Sequence, residues 1–298
     1  MSEIKLFSIG NQIYEHISSE VTVERELQNL IEKNMETFFG VRFLKSEYAI
    51  TNGRMDSIGI DENNSPVIFE YKRSQNENVI NQGLFYLDWL LDHKADFKLL
   101  VIDKLGIEEA EKIDWSVPCV ICIAHDFTKY DVHAVNQMQR NIKLVSYRKY
   151  DNDLILFEHL NAPVAKPISI ESTTASDSKS SVQKSHIEKL ALLTGEMKSL
   201  YQSICDYIES LGDDIVSNQL KHYIAYKKVR NIVCIEVYSK QIILNLKLSP
   251  DTVKLEKGFT RDMTGIGHFG TGDLQVTIKN ATDFEKSKSL IDRAYNEA

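Results

Sequence analysis

Asp56, Glu70 and Lys72 sit inside two short apolar runs, GRMDSIGID (Gly53–Asp61) and VIFEYKR (Val67–Arg73). A charge in a core strand is costly unless it is paired or bound to a metal. Side chains two apart on a strand share a face, so Ile68, Glu70 and Lys72 point one way and Val67, Phe69 and Tyr71 the other. The intervening DENNSP has turn composition, so the two runs are expected to pair as a hairpin with Asp56 near Glu70. Asp61 has the opposite parity to Asp56 and falls at the turn, which makes it the weaker candidate. An isolated E-x-K on a strand reads as a structural ion pair. Asp56 changes that weighing, because two carboxylates converging on one point repel unless a cation lies between them. Oxygen-only ligands with open positions suit Mg²⁺ or Mn²⁺. Lys72 beside such an ion could orient or deprotonate a water for in-line attack on phosphorus. Glu26, three residues after Val23 and four before Leu30, is expected on the inward face of the preceding helix. The alternative for Glu26 is the helix flank, beside Arg25 or Lys33.

The elements that must hold these residues follow from periodicity. TVERELQNLIEKNMETFF places Val23, Leu27, Leu30, Ile31, Asn34 and Phe38 at helical spacing, with Thr22 as its cap. Strand-like runs cover Val41–Ile50, Arg54–Asp61 and Val67–Lys72. A second helix, NVINQGLFYLDWLLDH, leads into FKLLVID as a strand, a helix, PCVICIA as a strand, a helix, and IKLVSYRKY as a strand. Strands that first pair by short connections and then alternate with helices predict an α/β fold, a mixed sheet flanked by helices.

Residues 161–185, NAPVAKPISIESTTASDSKSSVQKS, combine two prolines with a dense Ser/Thr run and no hydrophobic period, which predicts a flexible linker. It separates an expected first domain, 1–160, from a second, 186–298. The second reads as α+β, with a long helix over 186–211, strands at YIAYKK, IVCIEVY, IILNLKL and LQVTIK, and a closing helix.

Composition sets outer bounds. The chain has 298 residues, 43% hydrophobic and 26% charged, with a net charge of -8, values of a globular protein. Residues 1–165 hold 26 acids against 17 bases, which excludes tight nucleic-acid binding by charge alone but not an enzyme whose acids hold a metal. The charged amino terminus, the lack of a membrane-length apolar run and the four cysteines predict a soluble, cytoplasmic protein.

An acid on the first helix, an Asp on a strand and E-x-K on its hairpin partner, here Glu26, Asp56, Glu70 and Lys72, resemble the PD-(D/E)xK nuclease superfamily. Gln82 and Tyr86, four apart on the following helix, resemble the Q-x-x-x-Y motif of RecB-like nucleases; packing of Tyr86 among Leu84, Phe85 and Trp89 is the alternative. The resemblance covers roughly residues 20–150, and the GRMDSIGID…PVIFEYKR segment also looks like the mismatch-specific endonuclease group. Met55 stands where the superfamily name implies Pro. The resemblance implies a restriction-endonuclease-like core in which Asp56, Glu70 and the Tyr71 carbonyl bind Mg²⁺ or Mn²⁺. By the same likeness Lys72 positions water, Glu26 assists the metal–water network, and Gln82 and Tyr86 hold the nucleic-acid backbone. The second domain resembles a module of unknown function joined to nuclease-like domains in bacterial proteins.

Other signals are weaker. CVIC (Cys119–Cys122) continues a buried strand, which sends its thiols to opposite faces and excludes a zinc knuckle. GIGHFG (Gly265–Gly270) satisfies GxGxxG but leads into a strand, not a helix, so a loop is expected, with nucleic-acid contact through Arg261 and His268 as a minor alternative. His125 and His133 read as structural or surface residues, and Lys227, Lys228 and Arg230 as a solvated turn or a nucleic-acid contact. The expected function is a bacterial metal-dependent deoxyribonuclease suited to defence or repair, with nucleic acid, DNA first, as partner, no membrane, and a homodimer left open. A non-catalytic nucleic-acid- or partner-binding protein that keeps the nuclease fold is the rival, and an NAD(H)-dependent dehydrogenase a distant third.

Overall fold

The computed structural model describes residues 4–10, 12–19, 24–72, 78–138, 140–151, 153–160, 184–193 and 195–297. Two compact units emerge. The first comprises Met1–Ile60, Pro66–Glu111 and Pro118–Pro163; the second, Asp61–Ser65, Lys112–Val117 and Val164–Ala298. The division is not a single cut after residue 160, because two short segments of the amino-terminal half group with the second unit. The expected linker, apart from its last two residues, lies outside the described residues, as does the expected cap Thr22.

In the first unit, β1 (Leu6–Ile9) and β2 (Ile13–His16) form an antiparallel hairpin of their own. There follow β3 (Ser18–Ser19), α1 (Glu24–Phe39), β4 (Val41–Ile50), β5 (Gly53–Asp61), β6 (Pro66–Lys72), α2 (Asn78–Asp92), α3 (Lys94–Leu105) and α4 (Ile107–Ala110). The unit closes with β7 (Cys119–Ala124), α5 (Lys129–Gln137), β8 (Ile142–Tyr150) and β9 (Leu154–His159). The sheet order is β3-β8-β7-β6-β5-β4, with β9 also on β8. Strands β6, β7 and β8 run parallel, while β5 pairs antiparallel with β6, so the sheet is mixed as expected.

The two faces of β6 are divided by parity. Val67, Phe69 and Tyr71 enter a core with Leu27, Ile31, Met35 and Phe39 of α1 and with Cys119, Ile121 and Ile123 of β7. Burial of each large apolar side chain there contributes roughly 1.5–3 kcal/mol. The opposite face lies under α2: the Cys122 thiol meets the Val79 carbonyl at 3.8 Å, and a Cβ at Gly83 would come 2.6 Å from Val120. Cys119 and Cys122 therefore do face opposite ways, both buried and unpaired by any disulfide. FKLLVID, expected as a strand, is the body of α3. Its buried residues Phe97, Leu100 and Val101 follow helical spacing, and that periodicity overrides the β-branched composition.

In the second unit, the expected long helix is two, α6 (His186–Ala191) and α7 (Gly195–Glu209), the latter starting at a glycine with φ +56°. Six strands follow, β10 (Val216–Gln219), β11 (Ile224–Lys227), β12 (Asn231–Tyr238), β13 (Gln241–Leu246), β14 (Thr260–Asp262) and β15 (Leu274–Ile278), and then α8 (Ala281–Asn296). They form an antiparallel sheet in the order β10-β11-β12-β13-β15-β14, an α+β arrangement. GIGHFG is a loop that leads into β15, so it opens no helix. Among the described residues, no helix is long and apolar enough to cross a membrane.

Candidate active site

The hairpin brings Asp56 and Glu70 together. Ser57 pairs with Phe69, and continuing that register sets Asp56 opposite Glu70 on the face that also carries Lys72. The Asp56 N–H donates to Glu70 Oε1 at 3.3 Å, and the Tyr71 N–H donates to Asp56 Oδ2 at 3.0 Å. Glu70 is 1% exposed; Asp56 and Lys72 are half-buried. Burial, and then the Asp56 charge, push the Glu70 carboxyl up to about 9, with Lys72 opposing the rise. Burial also raises Asp56, while the Tyr71 N–H and Lys72 pull it down. At neutral pH the pair therefore holds fewer charges than its formula suggests, and a proton or a cation placed there would relieve the repulsion.

The first helix corrects one expectation. Its buried stripe is Leu27, Gln28, Ile31, Met35 and Phe39, while Leu30 is 40% exposed, so the apolar face is rotated from the predicted one. Glu26 consequently points to solvent. Glu24, three residues before Leu27 and four before Gln28, is the helix acid whose charge reaches both Asp56 and Glu70. Glu47, with φ +52° on β4, also acts on Asp56 and is itself held by Arg25 at 2.9 Å and Arg54 at 2.6 Å.

Helix α2 supplies the remaining wall. Tyr86 is buried, its hydroxyl bonded to the Arg54 main chain; burial, and then the charges of Glu70 and Asp56, hold its pKa above the ordinary value, with the Arg54 bond opposing. Gly53, which opens the strand, lets Tyr86 close in: a Cβ there would lie 2.8 Å from the Tyr86 ring. Gln82, one turn before Tyr86, has a buried Oε1 without a hydrogen-bond partner. Packing and orientation toward the site thus coincide at Tyr86.

The donor set fits a small divalent cation. Each carboxylate has one oxygen engaged by a main-chain N–H, which leaves the second for an ion, and a crowded buried acid pair is the electrostatic signature of such a place. Among the described residues, no three or more His, Cys, Asp or Glu side chains converge, so main-chain oxygen and water would complete the shell. Of the basic cluster of the second unit, Lys227 is 4% exposed and paired with Asp61 at 3.7 Å, Lys228 is paired with Asp214 at 3.7 Å, and Arg230 is exposed.

The first unit is thus a mixed α/β sheet that carries an acidic hairpin beneath a helix. Residues 23–113, which contain every residue of the candidate site, match the family described as Endonuclease NucS C-terminal domain, and residues 184–298 match a Domain of unknown function (DUF5655). Over 279 residues the chain is 32% identical to an uncharacterized protein of Haemophilus influenzae, covering 91% of this chain and 92% of that one. It belongs to the family of that protein. Among solved structures it is similar to a repair endonuclease from Pyrococcus abyssi, with 16% identity, TM-score 0.29, and 48% and 65% of the two chains covered. The EndoMS-dsDNA2 complex gives 20% identity and TM-score 0.29 over 43% of this chain and 47% of that one. The chain thus spans from about half to two thirds of the solved chains it matches.

Proposed function

We propose that the first unit is a divalent-metal-dependent deoxyribonuclease. The observation that carries the reading is the contact between Asp56 and the 1%-exposed Glu70, two acids that share one face with Lys72. The match of residues 23–113 to an endonuclease domain supports it. Asp56, Glu70 and the Tyr71 carbonyl would hold Mg²⁺ or Mn²⁺, which when bound neutralises the acids, lowers the pKa of a water and offsets charge on the phosphoryl oxygens. Lys72 orients the attacking water and screens the scissile phosphate. Glu24 takes the place on α1 expected of Glu26, accepting a hydrogen bond from the water shell. Gln82 would donate its amide N–H, and Tyr86 its hydroxyl, to the phosphate backbone of the strand being cut. No covalent intermediate is required; positioning and charge neutralisation suffice. The acid excess of residues 1–165 makes DNA binding by this unit depend on the cation.

The test is cleavage of labelled single-stranded, duplex, mismatched and branched DNA with Mg²⁺, Mn²⁺ or EDTA. Asp56→Ala and Lys72→Ala are expected to abolish metal-dependent cleavage while the proteins stay folded by circular dichroism. Wild-type rates in either variant would overturn the assignment. Among the described residues only two acids converge at the site, which favours one alternative: a nucleic-acid-binding protein that keeps the fold without the chemistry. That reading predicts DNA binding with no Mn²⁺ uptake by calorimetry.

A further inference from the structure

We propose that Gln28 and Glu32 of α1 are positioning residues that fix Asp56, through a hydrogen-bonded grip on two consecutive residues of β5. The inference rests on the reading of Asp56 as a metal ligand. Gln28 is 4% exposed, and its Nε2 donates to the Asp56 carbonyl at 2.9 Å and to Glu32 Oε1 at 2.9 Å. Ser46 Oγ at 3.2 Å and Glu47 Oε1 at 3.3 Å lie at the margin of the same amide. Glu32 Oε1 in turn accepts from the Ser57 hydroxyl at 2.6 Å, and Ser57 is fully buried.

A glutamine on the buried stripe of an amphipathic helix is an expensive choice where Leu would pack, because each buried polar group must find a partner. Here the partners explain the choice. The Asp56 N–H is bonded to Glu70 and its carbonyl to Gln28, so both main-chain groups of the acid are held by side chains. One residue on, Ser57 is tied to Glu32. The strand at Asp56 is therefore tethered to α1 at two successive residues, and a carboxylate whose main chain is fixed has one torsion fewer with which to leave a coordinating position. Glu47 belongs to the same network, as it joins Gln28 to Arg25 and Arg54. Parity turns Ser57 away from the Glu70 and Lys72 face, and Gln28 reaches Asp56 at its main-chain carbonyl, so both act through Asp56. Residues that orient metal ligands typically alter affinity by roughly 10–100-fold when removed.

The decisive measurement is Mn²⁺ binding to the full-length protein, read by electron paramagnetic resonance of free Mn²⁺, which needs no turnover. Gln28→Met keeps the volume and removes the donor; Mn²⁺ affinity is expected to fall about tenfold. KM for DNA is expected to hold, and cleavage to recover at high Mn²⁺. A purely structural role would lower the melting temperature and leave the Mn²⁺ affinity of the folded protein unchanged, and that result would overturn the inference. Where Gln28→Met does not fold, Ser57→Ala removes the bond to Glu32 from the other side of the grip: weakened Mn²⁺ binding supports the grip, unchanged binding rejects it. Asp56→Ala separates the two levels of the argument. If Asp56→Ala loses Mn²⁺ and the Gln28 and Ser57 variants keep it, only the positioning role fails. If the wild type takes up no Mn²⁺, the metal reading fails, and the positioning role with it.

Discussion

Glu70 is buried so completely that its proton becomes part of the folded state. In the unfolded chain it ionises near its ordinary value of 4.5; in the folded, metal-free chain it holds its proton to about 9. Between those values the folded state binds the extra proton, so stability falls as pH rises through the window. The contribution is fully present below about 4.5 and lost as pH approaches 9. Thermal scans in EDTA from pH 5 to 9 are therefore expected to show a falling melting temperature. Glu70→Gln should flatten that slope and raise the midpoint at pH 8 by at least about 2 °C, the equivalent of roughly 1 kcal/mol for a unit of this size. Mg²⁺ should flatten the wild-type slope as well, because the ion replaces the proton. A slope that survives Glu70→Gln would place its origin elsewhere.

At the scale of elements, the hairpin was readable because parity is strict: a period of two leaves Asp56 only one face, and the turn composition of DENNSP fixed the pairing. The helix was readable in existence but not in rotation. Leu27 and Ile31 fit both the predicted stripe and the observed one, and what separates them is that Gln28 is buried while Leu30 is not. No pattern of apolar residues could show that a glutamine occupies a core position, because the reason lies in its partners on β4 and β5. The same blind spot hid Glu24. The consequence is a paired expectation: Glu24→Gln should slow Mg²⁺-dependent cleavage roughly tenfold or more, while Glu26→Gln, exposed, should leave it unchanged. The reverse order in a cleavage assay would give the role to Glu26 and remove it from Glu24. Helix α2 carries a second element-scale test. Gly83→Val would drive a branched side chain into Val120, where even a Cβ comes within 2.6 Å, and should cost about 1–3 kcal/mol by urea unfolding.

At the scale of the whole molecule, the turn that joins the two acidic strands is built as part of the second unit. Asp61 accepts from the N–H groups of Asn63 and Ser65, both at 2.9 Å, and faces Lys227 at 3.7 Å, with side chains 9% and 5% exposed. Asn63 bonds Asn231 and Tyr223, and the Asn231 N–H donates to Glu62. Each partner satisfies a group that could not otherwise be buried. Breaking a buried ion pair by removing one member leaves the other uncompensated and costs about 3–5 kcal/mol, whereas removing both costs much less. Lys227→Met is thus expected to destabilise by about 3 kcal/mol, and the double variant Asp61→Asn with Lys227→Met to recover most of it, a non-additivity that a double-mutant cycle measures. Additive losses would mean that Lys227 acts through Glu62 or through packing rather than through Asp61. The same reasoning bears on where the chain can be cut. A fragment ending at residue 160 keeps Asp56 and Glu70 but deprives the turn between them of Lys227, Tyr223 and Asn231. Hydrogen exchange is expected to show faster opening of the Asp61–Ser65 amides in that fragment than in the full chain, and equal protection would mean that the turn is held by its own bonds to Asp61.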